Sequence, residues 1–158
     1  MFGQDILLPE GLLVGPSGRR NRSAVFTDQI YHQIATGNFK APTENLVVGK
    51  DHRDSIRRWE KIYTNKEGVF KDSKLRGGLM YLTHYAARSE VKLLDISGNS
   101  ELFVNGVPRS GDIYNKKWVI TPIKLKKGLN EFLVKGSRGG TLKVQLTAID
   151  KSVFFTQK

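Results

Sequence analysis

The sequence predicts an antiparallel β-sandwich with one short N-terminal helix, and three observations carry that expectation. From residue 77 onward, apolar and polar residues alternate with the period of strands. These segments run five to nine residues and are separated by Gly-containing turns at the ten-to-twelve-residue spacing typical of sandwiches and barrels. No helix-length insertion lies between them, which argues against a parallel α/β sheet.

The strand-like segments can be read in order. GGLMYLTHYA sets Leu79, Tyr81, Thr83 and Tyr85 against Met80, Leu82 and His84. VKLLDIS follows, then ELFVNG, which turns at Asn105-Gly106, a strong hairpin signal. WVITPIKLK carries Pro122, which places it at an edge or a bulge because proline cannot donate to a ladder. Lys127–Asn130 reads as a turn into EFLVKGS, and Arg138-Gly139-Gly140 as a hairpin turn into TLKVQLTAI.

The N-terminal part is less regular. Residues 1–22 read as an extended arm, since Pro9, Gly11, Gly15, Pro16 and Gly18 interrupt the apolar residues Ile6–Leu8 and Leu12–Val14. Residues 23–158 are expected to form one sandwich domain. Within it, residues 23–37 predict a helix with Ser23 as N-cap, Phe26, Ile30 and Ile34 on one face, and Gly37 as the stop. LVVGK at 46–50 suits a short strand, Ile56–Tyr63 a strand or short helix, and Asn65–Gly68 a turn.

Composition bounds the function. The chain has 158 residues, 39% hydrophobic and 26% charged, in the range of a folded globular protein. It contains no cysteine, which removes disulfides and thiolate chemistry. No stretch approaches the length of a membrane span, and no basic n-region precedes an apolar core. The net charge of +11 raises a nucleic-acid or polyanion partner. That reading requires Arg19, Arg20, Arg22, Arg57, Arg58, Lys124, Lys126 and Lys127 to converge on one surface. Lysines spread over strands also keep β proteins soluble and block edge pairing.

No catalytic set is visible. His52-Arg53-Asp54 spells a kinase catalytic-loop triplet, but Trp59 stands where that loop needs a metal-binding Asn, and no Gly-rich loop or DFG accompanies it. GPSG at 15–18 lacks the spacing of a nucleophile elbow. His32, His52 and His84 form no metal-site pattern. GSRGG at 136–140 opens no helix and so offers no phosphate cradle. Acidic residues are few and flank turns, which disfavours a paired-carboxylate enzyme. Asn21-Arg22-Ser23 matches a glycosylation sequon, a pattern common by chance.

Aromatic residues remain as ligand candidates. A sugar's C–H face stacks on a flat ring while its hydroxyls seek donors and acceptors, and Trp59, Tyr63, Tyr114 and Trp118 supply rings. Both tryptophans also suit a core. The segment Pro108–Trp118 is the expected functional loop, because binding residues concentrate on loops held by a rigid sheet. It nominates Tyr114, Trp118, Asn115, Arg109 and Asp112 as ligand-binding residues.

LLDISGNSELFVNGVPRSGDIY followed by ITPIKLKKGLNEFLVKGS resembles the galactose-binding-like jelly-roll modules of secreted bacterial hydrolases. With W-x-x-I at 59–62, Gly-Val-Phe at 68–70 and Gly-Gly-Leu-Met-Tyr at 77–81, the pattern is similar to the module ahead of α/β-hydrolase or prolyl-oligopeptidase-like domains. The similarity spans roughly residues 23–150. It implies a jelly roll that is not an enzyme and that binds carbohydrate or packs on an adjacent hydrolase domain. It also implies a secreted or periplasmic setting, with any catalytic domain beyond this chain. No cofactor is implied. Jelly-roll modules sometimes hold a structural calcium, but no acidic loop announces one here.

Overall fold

A computed structural model describes residues 5–18, 28–116 and 119–149. Two antiparallel sheets face each other. The strands are β1 (Ile6–Leu7), β2 (Glu10–Val14), β3 (Val47–Lys50), β4 (Ile56–Arg58), β5 (Glu60–Tyr63), β6 (Phe70–Lys71), β7 (Leu79–Ala86), β8 (Glu90–Ser97), β9 (Asn99–Val104), β10 (Val107–Arg109), β11 (Ile120–Leu125), β12 (Gly128–Gly136) and β13 (Thr141–Thr147). One sheet runs β1-β13-β8-β11, with β6 also paired to β13; the other runs β10-β9-β12-β7-β2-β5. From β7 to β13 the chain changes sheet at every connection except the β9–β10 hairpin, the kind of crossing found in double-sheet jelly rolls.

The period of two accounts for a core on each side of the larger sheet. Leu13, Met80, Leu82, Leu102, Val104, Phe132 and Val134 point between the sheets, against Leu94, Ile96, Ile123, Leu125, Leu142, Val144 and Leu146. Their neighbours Val14, Leu79, Tyr81, Phe103 and Leu133 point the other way, into a second cluster. Helix α1 (Gln29–Ala35) and the separate β3–β4 hairpin cover that outer face, contributing Ile30, Tyr31 and Val48, with Trp59 just beyond β4. Leu79–Leu82 is therefore buried at every position, because both faces of β7 are covered.

Several expectations need correction. The N-terminal stretch is no arm: β1 pairs with β13, and β2 lies inside the larger sheet between β5 and β7. Pro9 and Gly11 do not prevent this; the chain changes sheets at Leu8-Pro9, and Leu13 and Val14 are fully buried. The helix is shorter than expected, with Asp28 as its N-cap: the Asp28 Oδ1 accepts from the Ile30 N–H at 2.9 Å. Ser23 and Phe26 lie outside the described residues. At the other end Gly37, at φ +70°, closes a Schellman motif, with Gly37 N–H on Ile34 O and Asn38 N–H on Gln33 O. The 136–140 segment is no hairpin either. It carries the chain from β12 in one sheet to β13 in the other.

Other elements stand where the sequence put them. Asn105 (φ +48°) and Gly106 (φ +78°) turn β9 into β10 with the backbone of a type I′ hairpin. Pro122 sits on β11, which is paired on one side only. Trp59 is 2% exposed, a core residue. His52-Arg53-Asp54 forms the turn between β3 and β4, where Asp51 Oδ1 accepts from the N–H groups of Arg53 and Ser55. That is a turn role and not a catalytic one.

Candidate functional site

The sheet-to-sheet crossings leave an open basin of about 960 Å³. Three connections and two strands build it. Arg76 and Gly77 precede β7, Ile113–Asn115 belong to the β10–β11 loop, Gly136–Arg138 begin the β12–β13 crossing, and Ser100 and Lys135 lie on β9 and β12.

The crossing is fixed by backbone bonds. Gly136 N–H donates to Gly78 O at 2.9 Å, Ser137 N–H to Gly98 O at 2.8 Å, and Gly77 N–H to Gly136 O at 3.2 Å. Gly136 is obligatory for close approach, since a Cβ there would lie 1.8 Å from Leu75 O. Rigid backbone therefore holds Arg76, Ser137 and Arg138 around one opening.

The β10–β11 loop is organised by Asp112. This residue is 2% exposed; its Oδ1 accepts from the Lys116 N–H at 2.9 Å and its backbone O from the Asn115 N–H at 3.1 Å. Asn115 takes φ +53°, a left-handed position that Asn tolerates better than most residues. The turn holds Ile113 and Tyr114 outward, at 77% and 81% exposure. A phenol ring so exposed contributes little to folding, but it offers a flat face and a hydroxyl to a ligand.

The basin is electropositive. Arg76 and Arg138 are exposed, and among the described residues neither has an acidic partner within ion-pair distance. Lys135 is partly committed, with its Nζ 3.5 Å from Glu101 Oε1 and 5.9 Å from the centre of the Tyr31 ring. Tyr31 donates in turn to Glu101 Oε2 at 2.6 Å. Burial, then this bond to Glu101, raises the Tyr31 hydroxyl far above its ordinary pKa and keeps it a donor. No cluster of His, Cys, Asp and Glu that could hold a metal occurs among the described residues.

Of the five nominated residues, Tyr114 and Asn115 line the basin. Asp112 supports it from beneath. Arg109 ends β10, exposed and paired opposite Leu102, and is not among the residues lining the basin. Trp118 lies outside the described residues. Tyr63, another candidate ring, is exposed at the end of β5, with Lys61 Nζ 5.8 Å from its centre. Sequence reasoning did not select Arg76, Ser100, Lys135 or Ser137. Arg138 was noted only as a turn tip, and what makes it a lining residue is the crossing between sheets.

The basic cluster required for a broad polyanion surface does not assemble as expected. Arg57 is buried against Asp28, Arg58 sits on the hairpin over the larger sheet, and Lys124 sits on the edge strand of the other sheet. Arg19, Arg20 and Arg22 lie outside the described residues.

Comparison with known proteins adds little at the level of residues. No family model matches the chain, and no curated protein does. Among solved structures, a family 35 carbohydrate binding module from an environmental isolate is similar at TM-score 0.35 and 17% identity, over 72% of this chain and 87% of that one. A likeness of that grade assigns no role to any residue here and no ligand to this chain.

Proposed function

We propose that the chain is a non-catalytic carbohydrate-binding module whose ligand lies in the basin beside Tyr114. The carrying observation is the 81% exposed Tyr114 ring on the same opening as Asn115, Ser100, Ser137, Arg76 and Arg138. In this reading the ring stacks on a sugar face, and the amide, hydroxyls and guanidinium groups take the sugar's hydroxyl and ring oxygens. The motif resemblance described above supports a place beside a hydrolase domain in an exported protein.

Arg76 and Arg138, with no acidic partner among the described residues, favour a second reading, a polyanion held at the same basin. A glycan array probed at two salt concentrations, with heparin and DNA included, separates the two. Salt-insensitive binding to a neutral glycan is expected. Tyr114→Ala should weaken it about tenfold or more, since a stacked ring contributes about 1.5–3 kcal/mol. Binding confined to heparin or DNA and lost at high salt would establish the second reading instead. Silence on every ligand would overturn both and leave packing on a neighbouring domain as the role.

A further inference from the structure

A smaller cleft of about 210 Å³ opens where α1 leaves the outer face of the larger sheet. Phe39, Tyr81 and Phe103 give it three rings, Ile34 and Leu133 add aliphatic walls, and Glu131 is its one acidic side chain. Among the described residues, no lysine, arginine or histidine lines it.

The placement follows from strand period. Tyr81 on β7, Phe103 on β9 and Leu133 on β12 are cross-strand neighbours, Tyr81 opposite Leu133 and Leu133 opposite Phe103. Glu131 is two residues before Leu133 on the same face. Tyr81 donates to Glu131 Oε2 at 2.7 Å, and the Phe39 and Tyr81 ring centres are 6.3 Å apart, tilted by 53°. The Asn105 amide beside the cleft is already engaged: its Oδ1 accepts from the Glu131 N–H and its Nδ2 donates to Asn130 Oδ1.

Glu131 is left over. It is half-buried, in a chain of net charge +11, yet no cation pairs with it among the described residues. Its Oε1 has no hydrogen-bond donor there either. An accessible carboxylate oxygen in an aromatic cleft offers a charged donor a strong hydrogen bond, and aromatic faces attract cations through their quadrupole. The geometry points to a second binding site, separate from the Tyr114 basin, for a small organic cation: an ammonium or guanidinium head on a short apolar body. The head meets Glu131 Oε1, and the body lies among Phe39, Tyr81 and Phe103. The volume is below the roughly 300–1,000 Å³ of pockets for drug-sized ligands, so the occupant is small and not an oligosaccharide.

The test is an amide-resolved NMR titration of the whole chain with 2-phenylethylammonium, agmatine and the neutral isostere 2-phenylethanol. Shifts at Gly37, Asn105, Gly106 and Leu133 are expected for one or both cations, with 2-phenylethanol at least about tenfold weaker, the usual cost of losing a charge-assisted hydrogen bond. Glu131→Gln should abolish that preference and leave Tyr114 and Asn115 resonances in place. Equal binding of cation and alcohol by the native chain, or no shift at the cleft with either cation, would overturn the site. The comparison within the native protein holds even if Glu131→Gln folds poorly. A cleft that stays silent while glycans bind at Tyr114 removes only this inference, since the two sites share no residue.

Discussion

Asp28 and Arg57 form a buried ion pair at 3.2 Å that joins the helix to the hairpin covering the larger sheet. Their side chains are 0% and 6% exposed. One Asp28 oxygen caps α1 through the Ile30 N–H, the other takes the Arg57 guanidinium, and Arg57 Nε donates to Gly15 O at 3.0 Å. One pair thus fixes α1, β4 and the end of β2 relative to one another. Asp28→Ala removes the cap and strands a buried guanidinium. It should cost about 3–5 kcal/mol, read as a lowered urea midpoint with an unchanged slope. A loss under about 1 kcal/mol would show that the helix is held by its apolar face alone.

Asn130 supports two turns at once. It is fully buried; its Nδ2 donates to Lys126 O and Gly128 O, and its Oδ1 accepts from Lys126 N–H and Asn105 Nδ2. Asn130→Ala orphans several of these groups and should destabilise by about 2–4 kcal/mol. Asn130→Asp sets a buried carboxylate oxygen against both carbonyls that the amide served, so chemical denaturation should place it at least as low as Ala.

Glycine substitutions should separate close approach from turn conformation. A Cβ at Gly106 would meet nothing within 4 Å, so only its φ of +78° resists a side chain. Gly106→Val is expected to cost about 1 kcal/mol or somewhat more. At Gly136 the added carbon would run into the Leu75 carbonyl at 1.8 Å. Gly136→Ala should cost about 3 kcal/mol or more. Thermal melts of both variants decide the order, and equal melting temperatures would contradict it.

Alkaline pH should weaken the fold through Tyr31 and Tyr81. Both hydroxyls are raised above their ordinary value, first by burial and then by a bond to Glu101 or Glu131. A tyrosine whose folded pKa is raised contributes stability that is complete below its unfolded pKa of about 10. That stability is lost as pH climbs from there towards the folded value. Denaturation at a series of alkaline pH values should show stability falling above about pH 10. The fall should be shallower in Tyr31→Phe.

Much of the sandwich was legible because its signals are local. Alternation along β7, β8, β12 and β13 reports a pleated surface wherever the strand ends up, and Asn105-Gly106 needs only its own backbone to turn. The connection at 136–140 was misread because a Gly-rich segment looks the same whether the next strand pairs with the last or crosses to the facing sheet. The N-terminal strands were missed for a related reason. Their partners, Leu146 for Ile6 and Tyr81 for Leu12, are distant in sequence, and Pro9 and Gly11 mask the period. Asp28 escaped notice as a cap because the expected helix began earlier, at Ser23. At the basin, Tyr114 and Asn115 were accessible to sequence reasoning as loop residues, whereas Arg76, Ser100 and Arg138 belong together only after the sheets have stacked. Glu131 reads in the sequence as an ordinary polar strand position, and only the rings around it set it apart.

The pairing of Ile6 with Leu146 has a kinetic side. The smaller sheet can acquire β1 only once nearly the whole chain is available, and the interior strand β2 must close against β7 across a long loop. Pairings between distant segments delay the entropic return on loop closure, so folding should be slow for a domain of this size. A ribosome would release most of the strands before the first and last could meet. The same adjacency brings the two ends of the sandwich out at one corner. A polypeptide joined to either end would be anchored there, and a circular permutant linking the two would shorten the longest search the chain has to make.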